Sequence, residues 1–320
     1  MTAPVRILCS AQEAPRLAEP LRTLARDITL CHPGDPQAEL ADVAFVSRDI
    51  TGRSTKFEIH PDTERFYSAL RAARRLQWLH VHSIGLDRDI YQEVRARGAR
   101  VTASHGASDA VVAQAAVAGL LALARHLPHL LRAQQRRLWA PLFDEWMPRD
   151  LDGQHAVIVG WGGIGQRIGQ LLQALGLRIS VARHSGRPAA PGIRTVPYSG
   201  LAELLPDAAW LVLACPLSDA TRNLVDARTL AALPPHAQVV NVARGHVIDE
   251  AALIQALRAQ ALRGAFLDVF QHEPLPADSP LWDMENVIVS PHSAGFSDGN
   301  AERVRRIFLD NLRRWLDGSL

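Results

Sequence analysis

Residues 156–165 of this 320-residue chain read AVIVGWGGIG, an apolar run that leads into glycines at positions 160, 162 and 165. The run predicts a buried strand, and the apolar residues that follow at helical spacing predict a helix. Between a strand and a helix, Gly-x-Gly-x-x-Gly is typical of a loop that binds a dinucleotide. Gly160 would permit the tight turn, Gly162 the approach of the pyrophosphate, and Gly165 close packing of the helix. The alternative is a structural glycine turn.

The start of the predicted helix gives a second reason to expect phosphate binding. Gly163 and Ile164 lie in its first turn, where backbone N–H groups have no helical partner and the helix dipole is positive. Both residues are therefore expected to contact the cofactor.

The end of the next predicted strand, residues 178–182, indicates which dinucleotide binds. In NAD-binding folds an acidic residue about 20 positions further on binds the ribose 2′-OH, but here the strand is followed by Arg183-His184-Ser185-Gly186-Arg187. Guanidinium groups and a hydroxyl suit a 2′-phosphate, because arginine offers parallel N–H donors to phosphate oxygens. The pattern favours NADPH over NADH. Alternatively, these arginines are only exposed residues at a strand end.

The composition argues against several classes of protein. The formal charge is +2 with no long basic run, so nucleic-acid binding is not indicated. Three cysteines without pairing or metal-ligand spacing predict a reducing, cytoplasmic setting. The first residues lack a signal-peptide pattern, and the most apolar stretch, residues 111–127, predicts a buried helix rather than a membrane span. No metal is predicted, since His80, His82 and His105 lack a carboxylate or thiol partner at ligand spacing.

Alternating strand-like and helical segments predict an α/β fold with parallel sheets. In the first hundred residues the strand-like runs are residues 5–9, 43–47, 78–82 and 100–103. A long helix over residues 108–125, with Ser108 or Asp109 as its cap, is expected to form a spine between two domains. A six-stranded doubly wound sheet should follow, from strands near residues 156–160, 178–182, 210–214, 238–241, 263–268 and 287–290. A final amphipathic helix, residues 300–316, is expected to return to the first domain.

Arg244, Glu273 and His292 each come shortly after a predicted strand of this second series. Because open α/β sheets bind ligands at the carboxyl ends of their strands, we expect the three to lie beside one cleft. Reduction of a 2-oxo acid needs a cation for the carboxylate and an acid for the forming alkoxide, which Arg244 and His292 would supply. Glu273 would orient His292 and favour its protonated form. Taken singly, each residue also has a structural interpretation: an ion-pair partner, a loop carboxylate and a turn histidine.

Several motifs make the chain similar to a known family. They are Val242-Ala243-Arg244-Gly245, Asp268-Val269-Phe270, Glu273-Pro274-Leu275-Pro276, Ser279-Pro280-Leu281-Trp282, Asn286-Val287 and Pro291-His292-Ser293-Ala294-Gly295. Together they resemble the D-isomer-specific 2-hydroxyacid dehydrogenase family, and the likeness covers almost the whole chain. It implies an oxidoreductase that reduces a small 2-oxo acid, of the glyoxylate or hydroxypyruvate type, to the D-2-hydroxy acid with NADPH.

The resemblance also assigns roles to residues. Arg244, Glu273 and His292 would be catalytic, with Arg244 and His292 also binding substrate, and Asp268 would hold the nicotinamide carboxamide. Backbone N–H groups in the loop at residues 83–87 would grip the substrate carboxylate. The other expected contacts are Ile84 and Gly85 for the substrate, and Cys215, Pro216, Thr221, Val242, Ala243 and Gly295 for the cofactor.

The same resemblance implies the architecture and the assembly. A Rossmann doubly wound parallel sheet, residues 104–292, would be inserted in a smaller flavodoxin-like α/β substrate domain, residues 1–103 and 293–320. The spine region would form a homodimer. The expected partners are then a small acid, the cofactor and a second copy of the chain, with neither nucleic acid nor membrane.

Two departures from the family pattern leave the substrate open. Arg183 stands where many members carry the NAD-selecting Asp, as in the NADP-using reductases, and residues 47–56 and Trp139 match no substrate signature. Trp139 would be a packing residue or, alternatively, would reach substrate across a dimer interface. Rival functions are a dinucleotide-sensing, corepressor-like protein without turnover, and NAD-dependent oxidation of another 2-hydroxy acid. Formate oxidation is disfavoured because the formate enzymes carry Gln where this chain has Glu273.

Overall fold

The computed structural model describes residues 4–24, 26–52, 54–55 and 58–320, and the chain divides into two compact units. Unit 1 comprises Met1–Ala107 and Ser297–Leu320, and unit 2 comprises Ser108–Phe296. These boundaries fall a few residues after the expected ones at 103 and 292. Unit 2 is thus inserted in the sequence of unit 1, and both units are α/β structures built on parallel sheets.

Unit 1 contains a five-stranded parallel sheet over its described residues. In chain order its first elements are β1 (Val5–Leu8), α1 (Ala14–Arg22), β2 (Ile28–Cys31), β3 (Val43–Val46), α2 (Arg48–Thr51), α3 (Pro61–Ala72), β4 (Trp78–Val81), α4 (Asp89–Ala96) and β5 (Arg100–Ala103). The strand order β2-β1-β3-β4-β5 is that of flavodoxin-like folds. The four predicted strand-like runs are confirmed as β1, β3, β4 and β5, but β2 was missed because it is a short, half-buried strand at the sheet edge without a continuous apolar run.

Unit 2 contains the larger sheet. Its elements are α5 (Asp109–Ala124), α6 (Leu127–Gln135), β6 (His155–Val159), α7 (Gly163–Ala174), β7 (Arg178–Ala182), β8 (Arg194–Val196), β9 (Ala208–Leu213), α8 (Ala227–Ala231), β10 (Gln238–Asn241), α9 (Glu250–Arg258), β11 (Gly264–Leu267) and β12 (Val287–Val289). The strands have the order β12-β11-β10-β9-β6-β7-β8, a doubly wound arrangement. The predicted number of six strands was wrong by one, because the edge strand β8 is only three residues long and lacks an apolar pattern.

The long helix predicted over residues 108–125 is α5, and its apolar residues pack in the core of unit 2. Ser108 is its N-cap residue, although its side chain makes no capping hydrogen bond. Helix α6 follows after a bend of 67°. Within the described residues no single helix has the length and apolar character of a membrane span, and α5 and α6 reach them only when taken together across that bend.

The last helix, α10 (Asn300–Leu316), confirms the prediction for residues 300–316 and belongs to unit 1. Its Phe308 is fully buried and stacks on Phe45, with ring centroids 4.4 Å apart, and on Trp78 at 5.4 Å. Arg305 on the same helix forms a buried ion pair with Glu13, at 2.9 Å. The end of the chain is therefore held to its first hundred residues by an aromatic stack and an ion pair.

Candidate active site

The predicted site residues of unit 2 lie on loops at one edge of its sheet. All pairings in this sheet are parallel, so the carboxyl ends of its strands share that edge. The glycine loop follows β6, while Arg244, Glu273 and His292 follow the adjacent strands β10, β11 and β12. Strand adjacency therefore brings together three residues that are far apart in the sequence.

The three glycines of the loop after β6 differ in what surrounds them. Gly160 has φ +99°, which favours glycine, and its N–H donates to the Ala182 carbonyl at 2.8 Å. A side chain at Gly165 would collide with the carbonyl oxygen of Gly160, so helix α7 can pack on the loop only with glycine there. Gly162 has open space on its Cβ side. The backbone at Gly162 is therefore accessible, as an approaching pyrophosphate requires.

The first turn of α7 presents donors beside that open space. The first helical hydrogen bond runs from Gln166 N–H to the Gly162 carbonyl at 2.9 Å. Within the described residues, the N–H groups of Gly163, Ile164 and Gly165 have no acceptor. With the helix dipole behind them, these three amides fit the phosphates of a dinucleotide.

The loop after β7 carries the residues expected to select the cofactor. Arg183 is half-buried, and its backbone N–H donates to the Val196 carbonyl at 3.0 Å, so β8 holds it in place. His184, Ser185 and Arg187 are exposed. Over the described part of the chain, neither Arg183 nor Arg187 is in an ion pair, so both guanidinium groups are available to an anion.

The loop after β9 supplies structure rather than reactive groups. Burial raises the pKa of the Cys215 thiol to about 12, which keeps it protonated and unreactive. The buried Thr221 hydroxyl donates to the Pro216 carbonyl at 2.7 Å and accepts from Ser218 N–H at 2.8 Å. Thr221 thus shapes the predicted cofactor-flanking loop through its internal hydrogen bonds.

Arg244 follows a short bend that is fixed by Asn241. The Asn241 carboxamide is fully buried, accepts from Ala243 N–H at 3.1 Å and donates to the Arg244 carbonyl at 3.4 Å. Val242 and Ala243 are buried between these contacts. A Cβ at Gly245 would overlap the backbone of Phe270, so the Arg244 loop lies directly against the loop that carries Glu273.

His292 and Glu273 form a hydrogen-bonded pair. His292 Nδ1 lies 2.8 Å from Glu273 Oε2, while Glu273 Oε1 accepts from Phe270 N–H at 3.0 Å. A carboxylate can only accept, so Nδ1 carries a proton and Nε2 is the nitrogen left to exchange one with a ligand. The Glu273 side chain is 17% exposed and that of His292 is 48% exposed. The imidazole is therefore held at Nδ1 by Glu273, while the side chain as a whole is about half exposed.

Asp268 holds the His292 loop through hydrogen bonds. Its Oδ1 accepts from the Ser290 hydroxyl at 2.6 Å and from the Ser293 and Ala294 amides at 2.8 and 3.1 Å. Its backbone carbonyl accepts from His292 N–H at 2.8 Å. Burial raises the pKa of this carboxyl in spite of those bonds. Among the described residues, Oδ2 accepts only from Ala294 N–H, at 3.1 Å, so an accepting position is left for a carboxamide such as that of nicotinamide.

Comparison with known proteins agrees with this geometry. The family model described as D-isomer specific 2-hydroxyacid dehydrogenase, NAD binding domain, matches residues 117–294, more than half of the chain. The chain belongs to the D-isomer specific 2-hydroxyacid dehydrogenases. It is accordingly an NAD(P)-dependent D-2-hydroxyacid dehydrogenase, and the expectation of that family is confirmed.

Three similar proteins illustrate the range of the match. The (S)-sulfolactate dehydrogenase of Chromohalobacter salexigens is 35% identical over 253 residues, 77% of this chain and 78% of that protein. A glyoxylate reductase of Korarchaeum cryptofilum is 31% identical over 251 residues, 78% of this chain and 76% of that protein. A D-isomer specific 2-hydroxyacid dehydrogenase from Xanthobacter autotrophicus, solved with NADPH and MES, has a TM-score of 0.75 at 28% identity, covering 100% and 96% of the two chains.

Two residues that hold loops of the candidate site, Glu250 and Gln271, were missed in the sequence. Glu250 Oε2 accepts from Gln271 N–H at 2.9 Å, and the Gln271 side chain donates to the Ile248 carbonyl at 2.9 Å. These bonds tie the Glu273 loop to the start of α9. The adjacent Asp249, which caps α9 by accepting from Ala252 N–H, was the available sequence signal.

The predicted substrate contacts Ile84 and Gly85 follow β4, in unit 1 of the dehydrogenase. Both are half-buried, and over the described residues their N–H groups have no acceptor. Arg48 lies at the start of α2, where burial lowers the pKa of its guanidinium. Lys56, at the end of the segment 47–56 that matches no substrate signature, lies outside the described residues.

The histidines considered as metal ligands have other partners. His80 bonds to Thr102 Oγ1 at 2.8 Å and Ser104 Oγ at 3.0 Å, while His82 bonds to Thr51 Oγ1 at 2.8 Å. Burial lowers the pKa of His80 and of His82 to about 3. Among the residues placed by the structure, no group of three or more His, Cys, Asp or Glu could hold a metal ion.

The glycine loop generates a matched pair of substitutions. We expect Gly162→Ala to leave the free energy of unfolding within about 0.5 kcal/mol of the wild type, because its Cβ enters open space, but to weaken dinucleotide binding at least about tenfold. Gly165→Ala should lower the free energy of unfolding by about 1–3 kcal/mol, because its Cβ meets the Gly160 carbonyl. Urea unfolding and fluorescence titration with NADPH and NADH measure both. Wild-type cofactor affinity in Gly162→Ala would contradict the assignment of this loop.

Proposed function

We propose that this dehydrogenase reduces a short 2-oxo acid, of the glyoxylate or hydroxypyruvate type, to its D-2-hydroxy acid with NADPH as the preferred cofactor. The observation that carries the proposal is the 2.8 Å pair of His292 Nδ1 and Glu273 Oε2, next to the Arg244 loop at the sheet edge that also bears the glycine loop. The arginines after β7 and the relatives named glyoxylate reductase support the cofactor and the substrate class.

The proposed reaction divides the work between the cofactor and three side chains. When bound, the cofactor would supply the hydride for the carbonyl carbon. His292 Nε2 gives its proton to the carbonyl oxygen, and Glu273 holds the other nitrogen and stabilises the positive charge of the imidazolium. The Arg244 guanidinium binds the substrate carboxylate and stabilises the charge that develops on the carbonyl oxygen.

We propose that unit 1 is the substrate domain. The N–H groups of Ile84 and Gly85, which have no acceptor within the described residues, are placed to bind a carboxylate. This role is consistent with the resemblance noted from the sequence. Unit 2, with the glycine loop, is the proposed dinucleotide-binding domain.

The His292–Glu273 pair leads to a graded prediction. His292→Ala should lower kcat/KM by about 100-fold to 10,000-fold, the usual loss of a general acid. Glu273→Gln should cost less, because a glutamine oxygen can still accept from Nδ1–H but carries no charge to stabilise the imidazolium. Steady-state oxidation of NADPH with glyoxylate, followed by the absorbance of reduced nicotinamide at about 340 nm, measures both.

The control for this series is His60→Ala, which removes an exposed imidazole at the start of α3. It should retain wild-type kinetics. Measurable turnover by the wild type that is abolished in His292→Ala would exclude the corepressor-like alternative. Full activity in His292→Ala would remove the proposed proton donor and with it the mechanism.

Arg183 gives a prediction about cofactor choice. Arg183→Ala should raise the KM for NADPH at least about tenfold more than the KM for NADH, because only NADPH carries the 2′-phosphate that the guanidinium would bind. The matched control is Arg178→Ala at the start of the same strand, where the guanidinium is paired with Asp207 at 3.3 Å. The control should change neither value. An equal loss for both cofactors in Arg183→Ala would contradict the 2′-phosphate role.

The substrate assignment competes with one specific alternative. The similarity to a sulfolactate dehydrogenase favours NAD-dependent oxidation of another 2-hydroxy acid as the second candidate. A panel of glyoxylate, hydroxypyruvate and pyruvate with NADPH, run beside D- and L-lactate and sulfolactate with NAD, distinguishes them by kcat/KM. If no short 2-oxo acid supports NADPH oxidation, the proposed direction and substrate are wrong.

We propose that the dehydrogenase is a homodimer through α6 and the segment after it. Large apolar side chains are exposed there, including Leu131 at 57%, Phe143 at 62% and Trp139 at 95%. Large apolar side chains exposed together in one segment are typical of protein interfaces. Trp139 is therefore no packing residue within its own chain, which leaves it available to the partner copy.

The dimer is tested by placing charges on this surface. Leu131→Glu combined with Phe143→Glu should convert the dimer to a monomer in sedimentation velocity, because each buried carboxylate would lack a partner. Leu40→Glu, at an exposed leucine of unit 1, is the control and should remain dimeric. A wild-type chain that sediments as a monomer would overturn the proposal.

We propose a reducing, cytoplasmic location. Cys9, Cys31 and Cys215 are buried free thiols. Burial raises the pKa of Cys9 to about 12 and that of Cys31 to about 11, so these thiols remain protonated at neutral pH. Such cysteines are inert to disulfide exchange and suit a compartment where thiols stay reduced.

A further inference from the structure

A basic crevice lies at the amino ends of strands in unit 2, the edge opposite the candidate active site. It is open to solvent and has a cavity volume of about 20 Å³. Its basic lining residues are His126, Arg149, His236 and Arg263, and the buried Trp210 forms part of its wall. Among the described residues that line it, none is Asp or Glu.

One contact in the crevice fixes the protonation of a histidine. Arg263 Nη2 lies 3.0 Å from His126 Nε2. A guanidinium can only donate, so His126 Nε2 must accept, and the imidazole is neutral with its proton on Nδ1. Protonation of His126 would break this bond and add another positive charge.

Besides burial, positively charged or basic neighbours lower the pKa values of Arg263, His126 and His236. Burial and the Arg149 guanidinium lower the pKa of Arg263. Burial and then Arg263, His129 and Arg125 lower the pKa of His126. Burial lowers the pKa of His236, as do Arg149 and Arg263.

The walls of the crevice are held in place without supplying negative charge. Gln154 Oε1 accepts from Trp210 Nε1–H at 2.8 Å, and Gln154 Nε2 donates to the Asp150 carbonyl at 2.5 Å. The ring of Trp146 stacks on His129, with centroids 3.8 Å apart, and meets His126 edge-on at 5.6 Å. Two guanidinium groups and two imidazoles thus line the crevice, and none of its described lining residues is an acid.

We propose that this crevice binds a dianionic oxyanion of the phosphate class, either inorganic phosphate or a phosphate ester, between Arg149 and Arg263. Guanidinium groups offer paired N–H donors to such oxygens, and charge-assisted bonds of this kind are strong where water is partly excluded. Burial and then nearby positive charges lower the pKa values of His126 and His236, and a bound dianion would offset the effect of those charges. The site is independent of the proposed reaction, because it lies at the other end of the strands.

Sulfate and phosphate are the probes, and the side-chain resonances of His126 and His236 are the local readout. In ¹H–¹⁵N spectra of the whole protein, both probes should shift these two histidines with one common dissociation constant. Arg263→Gln and Arg149→Gln should each weaken binding at least about tenfold. Arg178→Gln, which removes an arginine at the same sheet edge that is already paired with Asp207, should not.

The pH dependence follows from the neutral imidazoles. Sulfate keeps its charge between about pH 5 and pH 8, the range in which an ordinary histidine titrates. If binding raises the histidine pKa values, proton uptake accompanies it, and sulfate affinity must increase as the pH falls. Glycerol phosphate and inorganic phosphate are titrated in parallel, and the lower dissociation constant shows whether the site prefers an ester or the free ion. Unshifted histidine resonances at saturating sulfate and phosphate, or equal affinity in all four proteins, would overturn the site.

Discussion

The parallel register of neighbouring strands is the constraint on which the candidate active site depends. Strands β9, β10, β11 and β12 pair in continuous register, for example Asn241 with Leu267 and Leu267 with Val289. Their carboxyl ends consequently reach one edge at the same height. A shift of one residue in any pairing would turn the strand's side chains to the opposite face and displace the loop that follows it. Backbone hydrogen bonding between the strands thus sets the positions of the loops that carry Arg244, Glu273 and His292.

Buried polar groups then hold each catalytic loop in one conformation. The buried Asn241 fixes the bend before Arg244, the buried Asp268 binds amides that follow His292, and the half-buried Glu250 holds the loop that leads to Glu273. His292 itself has φ +53°, a backbone region that non-glycine residues rarely adopt. Such a conformation persists only where surrounding contacts determine it, and the Asp268 bonds are the ones present here.

The sequence is informative where a function needs a local pattern and silent where contacts join distant segments. The glycines after β6 and the polar residues after β10, β11 and β12 could be located, because a strand followed by a particular residue type is a local signal. The edge strands β2 and β8 could not, since short, half-exposed strands lack an apolar period. Glu250 contacts Gln271 across a helix and a strand, and the signal at Asp249 indicates only where α9 begins, not this contact. No sequence pattern indicates the pairing of His126 with Arg263.

The division of the chain into two units has an evolutionary consequence. The glycine loop, Arg244, Glu273 and His292 all belong to residues 108–296, so the groups assigned to hydride and proton transfer are encoded in one continuous segment. The loop at Ile84 and Gly85 belongs to the other unit. With the roles proposed above, changes in the first hundred residues would alter the preference for one acid over another while Arg244, Glu273 and His292 remain intact. Diversity of substrates within one lineage of enzymes is the expected result of such modular inheritance.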